Sequence, residues 1–180
     1  MGKPRAPLDP VADLKRRLAR APVRTSVRAW WKDHDFADHP ATVGKRVAIA
    51  LLEQRMIAHK LAGVLVLQEL GEQLRASDLA AFARLFEAGH IRDQAVVDPF
   101  ATKVLATLLE RETSRDEVAY TLATWRTGDT IWQRRAACLA FVRLASDSDA
   151  DVWEAVLTIC ATVVWSHERL DQTAVGSVLR

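Results

Sequence analysis

The 180-residue sequence is short of the residues that interrupt regular structure. It has 7 glycines and 6 prolines, where an average soluble protein of this length has roughly 20 of the two together. Its apolar runs are also short, as at residues 62–67, so no segment is long enough to span a bilayer and we expect no membrane partner. With 49% hydrophobic and 27% charged residues, the composition excludes a disordered and a collagen-like chain.

Cysteine is scarce too, which excludes a disulfide-stapled mini-protein. The two cysteines, Cys138 and Cys160, lie in apolar helical patterns and are predicted to be small core residues; a disulfide or a metal pair is the alternative. The five histidines are scattered, so we expect neither a metal nor another cofactor. No apolar stretch follows Met1 to Arg5, which predicts no signal peptide and a cytoplasmic protein.

Charge is distributed unevenly along the chain. Residues 1–60 contain 13 Lys and Arg against 6 Asp and Glu, whereas residues 61–180 contain 12 against 17. The net charge of +2 therefore hides a basic N-terminal third, which fits contact with a polyanion. A solvated helix face is the alternative explanation. The positive charges concentrate at Lys15, Arg16, Arg17, Arg20, Arg24 and Arg28.

Apolar residues repeat at helical spacing throughout, and no strand pattern is present. The first helices of successive pairs are predicted to begin near residues 41, 78, 116 and 150, a repeat typical of HEAT-like helix pairs. The predicted fold class is all-α, an α-solenoid of HEAT-like pairs, with a plain helical bundle as the alternative. We expect residues 1–8 to form a disordered tail and residues 9–180 to form a single repeat domain.

Several helix boundaries are predicted from capping residues. Start signals lie at Asp9-Pro10, Thr25-Ser26, Ser77, Asp98-Pro99, Ser114 and Thr130.

Two charged residues next to apolar ones are candidates for a functional role, each with a structural alternative. Asp98 follows two apolar residues and precedes Pro99, so it is either the N-cap of a helix beginning at Pro99 or a functional carboxylate. Arg135 projects from the apolar stripe of Ile131 and Leu139, where an unpaired guanidinium is unfavourable. It must find a carboxylate, main-chain carbonyls or an external phosphate. No standard catalytic motif is present.

The segments that contain these two positions, residues 91–100 and 131–137, in this order on a HEAT-like scaffold, resemble the DNA alkylation repair family of AlkD-like DNA glycosylases. The closing stretch, residues 171–180, is similar to that family's last helix, and the segment around Val23–Ser26 with Arg28 is similar to an N-terminal family segment. The resemblance covers roughly residues 20–180.

The resemblance implies a C-shaped superhelix that holds double-stranded DNA on a concave basic face. It further implies excision of cationic N3- and N7-alkylpurines by hydrolysis of the N-glycosidic bond, by a monomer that is nucleoid-associated when bound to DNA. Asp98 would support the sugar cation and the attacking water, and Arg135 would bind the DNA backbone beside the lesion. Further candidate backbone contacts are Arg24, Arg28, Lys45 and Arg46.

The sequence departs from the family at both site tryptophans, which correspond to Gln94 and Ser177 here. The spacing of Trp125 and Trp165, among others, is typical of packing. Family members usually continue beyond the position of Arg180, which leaves open whether a C-terminal repeat is lacking. Three functions therefore compete: a glycosylase, a noncatalytic DNA-binding relative, and a HEAT-type protein-interaction module.

Overall fold

The computed structural model describes residues 9–36, 39–144 and 150–180. These residues form α-helices, short 3-10 turns and one π-helical turn, and none of them lies in a strand, which confirms the all-α prediction. The predicted disordered tail, residues 1–8, lies outside the described residues. Among the described helices, none is long and apolar enough to cross a membrane.

The chain divides into two compact units, Met1–Leu70 and Gly71–Arg180. In the described residues, the first contains the helices α1 (Pro10–Leu18), α2 (Val23–Asp33), α3 (Ala41–Leu52) and α4 (Ile57–Leu70). The second contains α5 (Leu79–Glu87), α6 (Gln94–Phe100), α7 (Ala106–Leu109), α8 (Arg115–Thr124), α9 (Ile131–Ala140), α10 (Ala150–Val163) and α11 (Arg169–Val178). That residues 9–180 form a single repeat domain stays a prediction.

Most helix starts agree with the sequence. Asp9 caps α1 by accepting a hydrogen bond from the amide of Val11 at 3.0 Å, and Thr130 caps α9 by accepting from the amide of Gln133 at 3.2 Å. The helices α3, α5, α8 and α10 begin at or next to the starts predicted for the four helix pairs. Local capping chemistry and apolar spacing were sufficient to predict these elements.

Three of the predicted start signals differ from the structure, although α5 and α8 begin next to the residues expected. The helix α2 begins at Val23, ahead of Thr25-Ser26, because Pro22 already supplies an extended residue before the helix. Ser77 lies inside a 3-10 turn in which Asp78 accepts a hydrogen bond from the amide of Arg75 at 2.8 Å, so Ser77 caps no helix. Ser114 precedes α8 but makes no capping hydrogen bond with its side chain.

In the first unit, a polar contact joins α1 to the end of α2. Asp13, almost completely buried, accepts hydrogen bonds from Arg17 Nε at 2.9 Å and from His34 Nε2 at 3.1 Å. Beside it, Trp30 is fully buried and donates from its indole nitrogen to the carbonyl of Pro10 at 3.0 Å. Burial alone would raise the pKa of Asp13, but hydrogen bonds from His34 and Arg17 outweigh it and lower the pKa.

We expect Asp13 to make the stability of the fold sensitive to acid. Because its pKa is lower in the folded state, its contribution is complete above about pH 4 and is lost as the pH falls through the folded pKa. Asp13→Asn should lower the free energy of unfolding at pH 7 by about 1–3 kcal/mol and flatten its decline below pH 4. The matched Asp33→Asn, at an exposed partner of Arg17, should change it by less than about 1 kcal/mol. Urea unfolding at several pH values measures both, and equal effects would contradict the assignment.

The second unit has an apolar core that includes both cysteines. Phe100 and Trp125 each pack edge-on against Phe86, with ring centroids 5.9 and 5.7 Å apart. Cys138 and Cys160 are buried and free, which confirms their prediction as core residues. Burial raises the pKa of the Cys138 thiol to about 12, so this side chain stays protonated and unreactive at neutral pH.

Candidate functional site

Asp98 lies inside α6 and does not begin a helix. The N-cap of α6 is Asp93, whose carboxylate accepts a hydrogen bond from the amide of Ala95 at 2.8 Å. The prediction of Asp98 as the N-cap of a helix beginning at Pro99 is therefore wrong, because the chain is already helical when it reaches Asp98. Its carboxylate has no capping role in the described structure.

Pro99 alters the helix directly after Asp98. Proline has no N–H to donate to the carbonyl four residues earlier, and its ring crowds that carbonyl. The chain then passes through a π-helical turn, Ala101–Leu105, before α7. The main-chain carbonyl of Asp98 accepts a hydrogen bond from Thr102 Oγ1 at 2.8 Å. Such π turns recur at functional sites, and this one holds the backbone that carries Asp98.

The carboxylate of Asp98 pairs with the guanidinium of Arg135 from α9. Arg135 Nε donates to Oδ1 at 2.7 Å, and Nη2 donates to Oδ2 at 2.8 Å. Two parallel charge-assisted hydrogen bonds fix both the distance and the plane of the carboxylate. The Arg135 side chain is 5% exposed and that of Asp98 is 33% exposed. The structure therefore brings together the two residues that the sequence singled out, with only the carboxylate reachable from solvent.

The third nitrogen of Arg135 connects this pair to α11. Nη1 donates to the carbonyl of Leu170 at 2.7 Å and to Thr173 Oγ1 at 3.1 Å. Of the partners that the sequence left open for Arg135, a carboxylate and a main-chain carbonyl are thus both present. A phosphate contact by Arg135 stays a prediction, and it would have to use the remaining N–H or displace one of these bonds.

A second ion pair lies next to the first, and the sequence did not predict it. Arg134 donates a hydrogen bond from Nε to Asp171 Oδ2 at 3.1 Å, and its Nη2 lies 3.0 Å from the same oxygen as part of the ion pair. Asp171 is fully buried and also accepts from Ser166 Oγ at 2.7 Å, while its Oδ1 has no hydrogen-bond partner in the described structure. The two consecutive arginines of α9 therefore bind two different carboxylates. The available signal was an aspartate in the first turn of α11.

Gln94 and Ser177, the two positions that the resemblance matches to tryptophans, differ in what they contact. Gln94 is one helical turn before Asp98, and its Nε2 donates to Asp98 Oδ2 at 3.2 Å. Ser177 donates from Oγ to the carbonyl of Thr173, at 2.8 Å, within its own helix. Gln94 therefore belongs to the carboxylate site, whereas the described contact of Ser177 is local to α11.

The predicted basic contacts lie in the first unit. Arg24 and Arg28, both exposed and one turn apart on α2, line a surface cavity of about 250 Å³ together with Gln68 and Glu69 of α4. The buried Oε1 atom of Gln68 has no hydrogen-bond partner among the described residues.

Two further predicted contacts lie on α3. Lys45 is half-buried and Arg46 is exposed, and neither lines the cavity formed by α2 and α4.

Two of the tryptophans differ in exposure. Trp125 is buried against Phe86, which confirms its prediction as a packing residue. Trp165 is 82% exposed, so the same prediction is wrong for Trp165. It lies two residues beyond Val163, the last residue of α10, where the helical stripe no longer continues.

Comparison with known proteins gives the family. The model of the DNA alkylation repair enzyme family matches residues 18–180. The chain belongs to the DNA alkylation repair enzyme family. This confirms the resemblance found in the sequence, includes Asp98 and Arg135 in the matched region, and supports a role in DNA repair. No curated protein matches the chain at a significant level of sequence similarity.

Proposed function

We propose that this member of the DNA alkylation repair enzyme family is a DNA glycosylase. Its substrate would be a cationic N3- or N7-alkylpurine in duplex DNA, and it would hydrolyse the N-glycosidic bond. The observation that carries the proposal is the Asp98 carboxylate, held by two hydrogen bonds from a buried arginine and one-third exposed. This is a fixed negative charge that a substrate can approach.

The chemistry suits that arrangement. An alkylated purine is already positively charged and leaves as a neutral base, so the departing group needs no acid. As the bond breaks, positive charge develops on the deoxyribose, and a preorganised carboxylate near C1′ stabilises it. Water then adds to C1′ and loses a proton to the carboxylate of Asp98, which passes it to solvent. Because Arg135 holds Asp98 before the substrate arrives, little reorganisation is needed during the reaction.

We further propose that the helix pairs wind into a HEAT-like superhelix, which acts as a monomer on double-stranded DNA. Arginine binds phosphate through parallel hydrogen bonds. Arg24 and Arg28 are suited to this role because both are exposed on one face of α2. Lys45 and Arg46 of α3 are further candidates for the backbone contact.

A noncatalytic DNA-binding protein is the second candidate. The observation that favours it is the polar character of the site, where Gln94 and not an aromatic ring lies against Asp98. A protein without an aromatic face loses cation–π attraction for a charged base, worth roughly 0.5–2 kcal/mol per contact.

Base release from methylated duplex DNA tests the proposal. The purified protein is incubated with duplex carrying N7-methylguanine and N3-methyladenine, and the freed bases are separated and counted. We expect release of at least one methylated purine and none of the normal bases. No release by a folded protein that binds duplex would favour the noncatalytic function. Failure to bind duplex would favour a protein-interaction module.

The duplex-binding part of the proposal makes a separate prediction. Replacing Arg24 and Arg28 together by alanine should weaken binding to undamaged duplex about tenfold or more, and should reduce the slope of log K against log salt by about 2. Arg55→Ala, which removes an exposed charge outside the cavity between α2 and α4, is the control and should change the slope by less than half as much. A slope change for Arg55→Ala that is half that of the double variant or larger would show that Arg24 and Arg28 act only through net charge.

A further inference from the structure

The two oxygens of the Asp98 carboxylate accept different numbers of hydrogen bonds. An ionised carboxylate has about four lone-pair positions, two on each oxygen. In the described structure Oδ2 accepts hydrogen bonds from Arg135 Nη2 and from Gln94 Nε2, at 2.8 and 3.2 Å. Oδ1 accepts one, from Arg135 Nε at 2.7 Å. The open position is therefore on Oδ1.

The bond from Gln94 is a property of the helix itself. Residues one turn apart on an α-helix are neighbours, so Gln94 reaches Asp98 without help from another element. Gln94 is exposed, whereas Arg135 approaches the carboxylate from the buried side. Arg135 therefore contacts Asp98 from the protein interior, and Gln94 contacts it from the solvent side. Of these two residues, only Gln94 can meet a ligand that arrives from solvent.

We propose that Gln94 is a positioning residue for Asp98: its amide occupies Oδ2 and leaves Oδ1 as the single carboxylate oxygen available to the substrate. The expected effect of Gln94 on base release rests on the proposed glycosylase function, whereas the hydrogen bond between Gln94 and Asp98 does not depend on that function. With one oxygen available, Asp98 stabilises the sugar cation through Oδ1, and water is kept from Oδ2. The amide oxygen of Gln94 remains an acceptor at the exposed edge of the site.

The side-chain amide of Gln94, next to the carboxylate, should also affect which substrate is bound. An amide presents hydrogen-bonding atoms to the solvent side of Asp98 and offers no aromatic face. A lesion that donates a hydrogen bond, such as an alkylpurine with an exocyclic amino group, can be bound by the amide oxygen of Gln94. We therefore expect the site to prefer cationic purines that carry such a donor on the edge facing Gln94.

Two substitutions at Gln94 distinguish a residue that positions Asp98 from one that only adds a polar group near the substrate. Gln94→Met keeps the length of the side chain and removes the donor, and should lower the single-turnover rate of base release about three- to tenfold. Gln94→Glu also removes the donor but adds a negative charge, and should lower the rate at least as much. If Gln94 acted only as a nearby polar group, the added charge would attract the cationic substrate and raise the rate, and that result would overturn the proposal.

Binding and stability serve as controls for these variants. Since Gln94 is exposed, neither change should alter the melting temperature, and duplex affinity should stay within about twofold while the rate falls. Gln172→Met makes the same chemical change at an exposed glutamine of α11 that donates to the carbonyl of Ser166, and should leave the rate unchanged. An equal loss in both methionine variants would contradict a specific role for Gln94.

A readout that needs no turnover distinguishes the failure of this inference from that of the proposed function. Of the two side-chain amide protons of Gln94, observed by NMR in the free protein, the one that is hydrogen-bonded to Asp98 should shift more than the other when Asp98 is replaced by asparagine. If the wild type releases no base but the amide signals respond, the positioning contact stands and the glycosylase proposal fails. If the signals do not respond to Asp98→Asn, the inference is overturned whatever the activity.

Discussion

Asp98→Asn is expected to reduce the rate of base release by at least about a hundredfold, the effect usual for removing one preorganised electrostatic contact. Asparagine has nearly the same shape as aspartate, but it carries no charge with which to stabilise the developing sugar cation. Binding to undamaged duplex should persist, because the predicted phosphate contacts lie elsewhere. Single-turnover release of methylated purine, with duplex affinity measured in parallel, checks both parts.

The stability of this variant needs its own control. Asparagine offers Arg135 one acceptor oxygen in place of two, which leaves the buried guanidinium partly unpaired, so some loss of stability is expected. Rates should therefore be measured well below the melting temperature of the variant. Asp93→Asn makes the same chemical change five residues earlier, where asparagine remains a good helix N-cap, and should leave the rate within about twofold. Full activity in Asp98→Asn would show that this carboxylate has only a structural role.

Arg135→Met is expected to have the largest effect on stability. It removes four hydrogen bonds, leaves the carbonyl of Leu170 without this donor and leaves Asp98 without its counter-charge. Breaking a buried pair by removing one partner is strongly destabilising; because Asp98 is one-third exposed, we expect a loss of about 2–4 kcal/mol. Base release should fall as well, since Asp98 is no longer held.

Three comparisons make the Arg135 result specific. Arg143→Met, at an exposed partner of Glu110, should cost less than about 1 kcal/mol. The double substitution of Asp98 and Arg135 should be less destabilising than the sum of the single ones, because the pair is coupled. The salt dependence of duplex binding separates the two roles of Arg135: an unchanged slope indicates a purely internal pair, and a slope reduced by about 1 indicates a phosphate contact. No stability loss would contradict the observed ion pair.

Much of the helical fold could be predicted because its determinants are local. The caps at Asp9 and Thr130 act within three residues, and the apolar spacing of α3 and α4 is visible in any short window of sequence. The errors occurred where two local signals compete. At Asp98-Pro99 the dipeptide resembles a helix start, but Asp93 caps the helix first and the π turn accommodates the proline.

The site could be predicted only in part, because its contacts join distant residues. An arginine on an apolar stripe showed that Arg135 needs a partner, but nothing in the sequence showed that the partner is Asp98, 37 residues away. The neighbouring pair of Arg134 and Asp171 was missed for the same reason. The bond from Gln94 to Asp98 has the spacing of one helical turn and was hidden by the mistaken helix start.

In the proposed reaction, the Asp98 carboxylate acts at the sugar of a damaged nucleotide. The most direct test is a crystal structure of the protein with duplex DNA that contains a cationic pyrrolidine in place of one deoxyribose. The protonated ring nitrogen imitates the charge of the reacting sugar. We expect Oδ1 of Asp98 to lie within about 4 Å of that nitrogen, the distance of an ion pair. A duplex bound with its pyrrolidine away from Asp98 would show that this carboxylate does not act at the sugar.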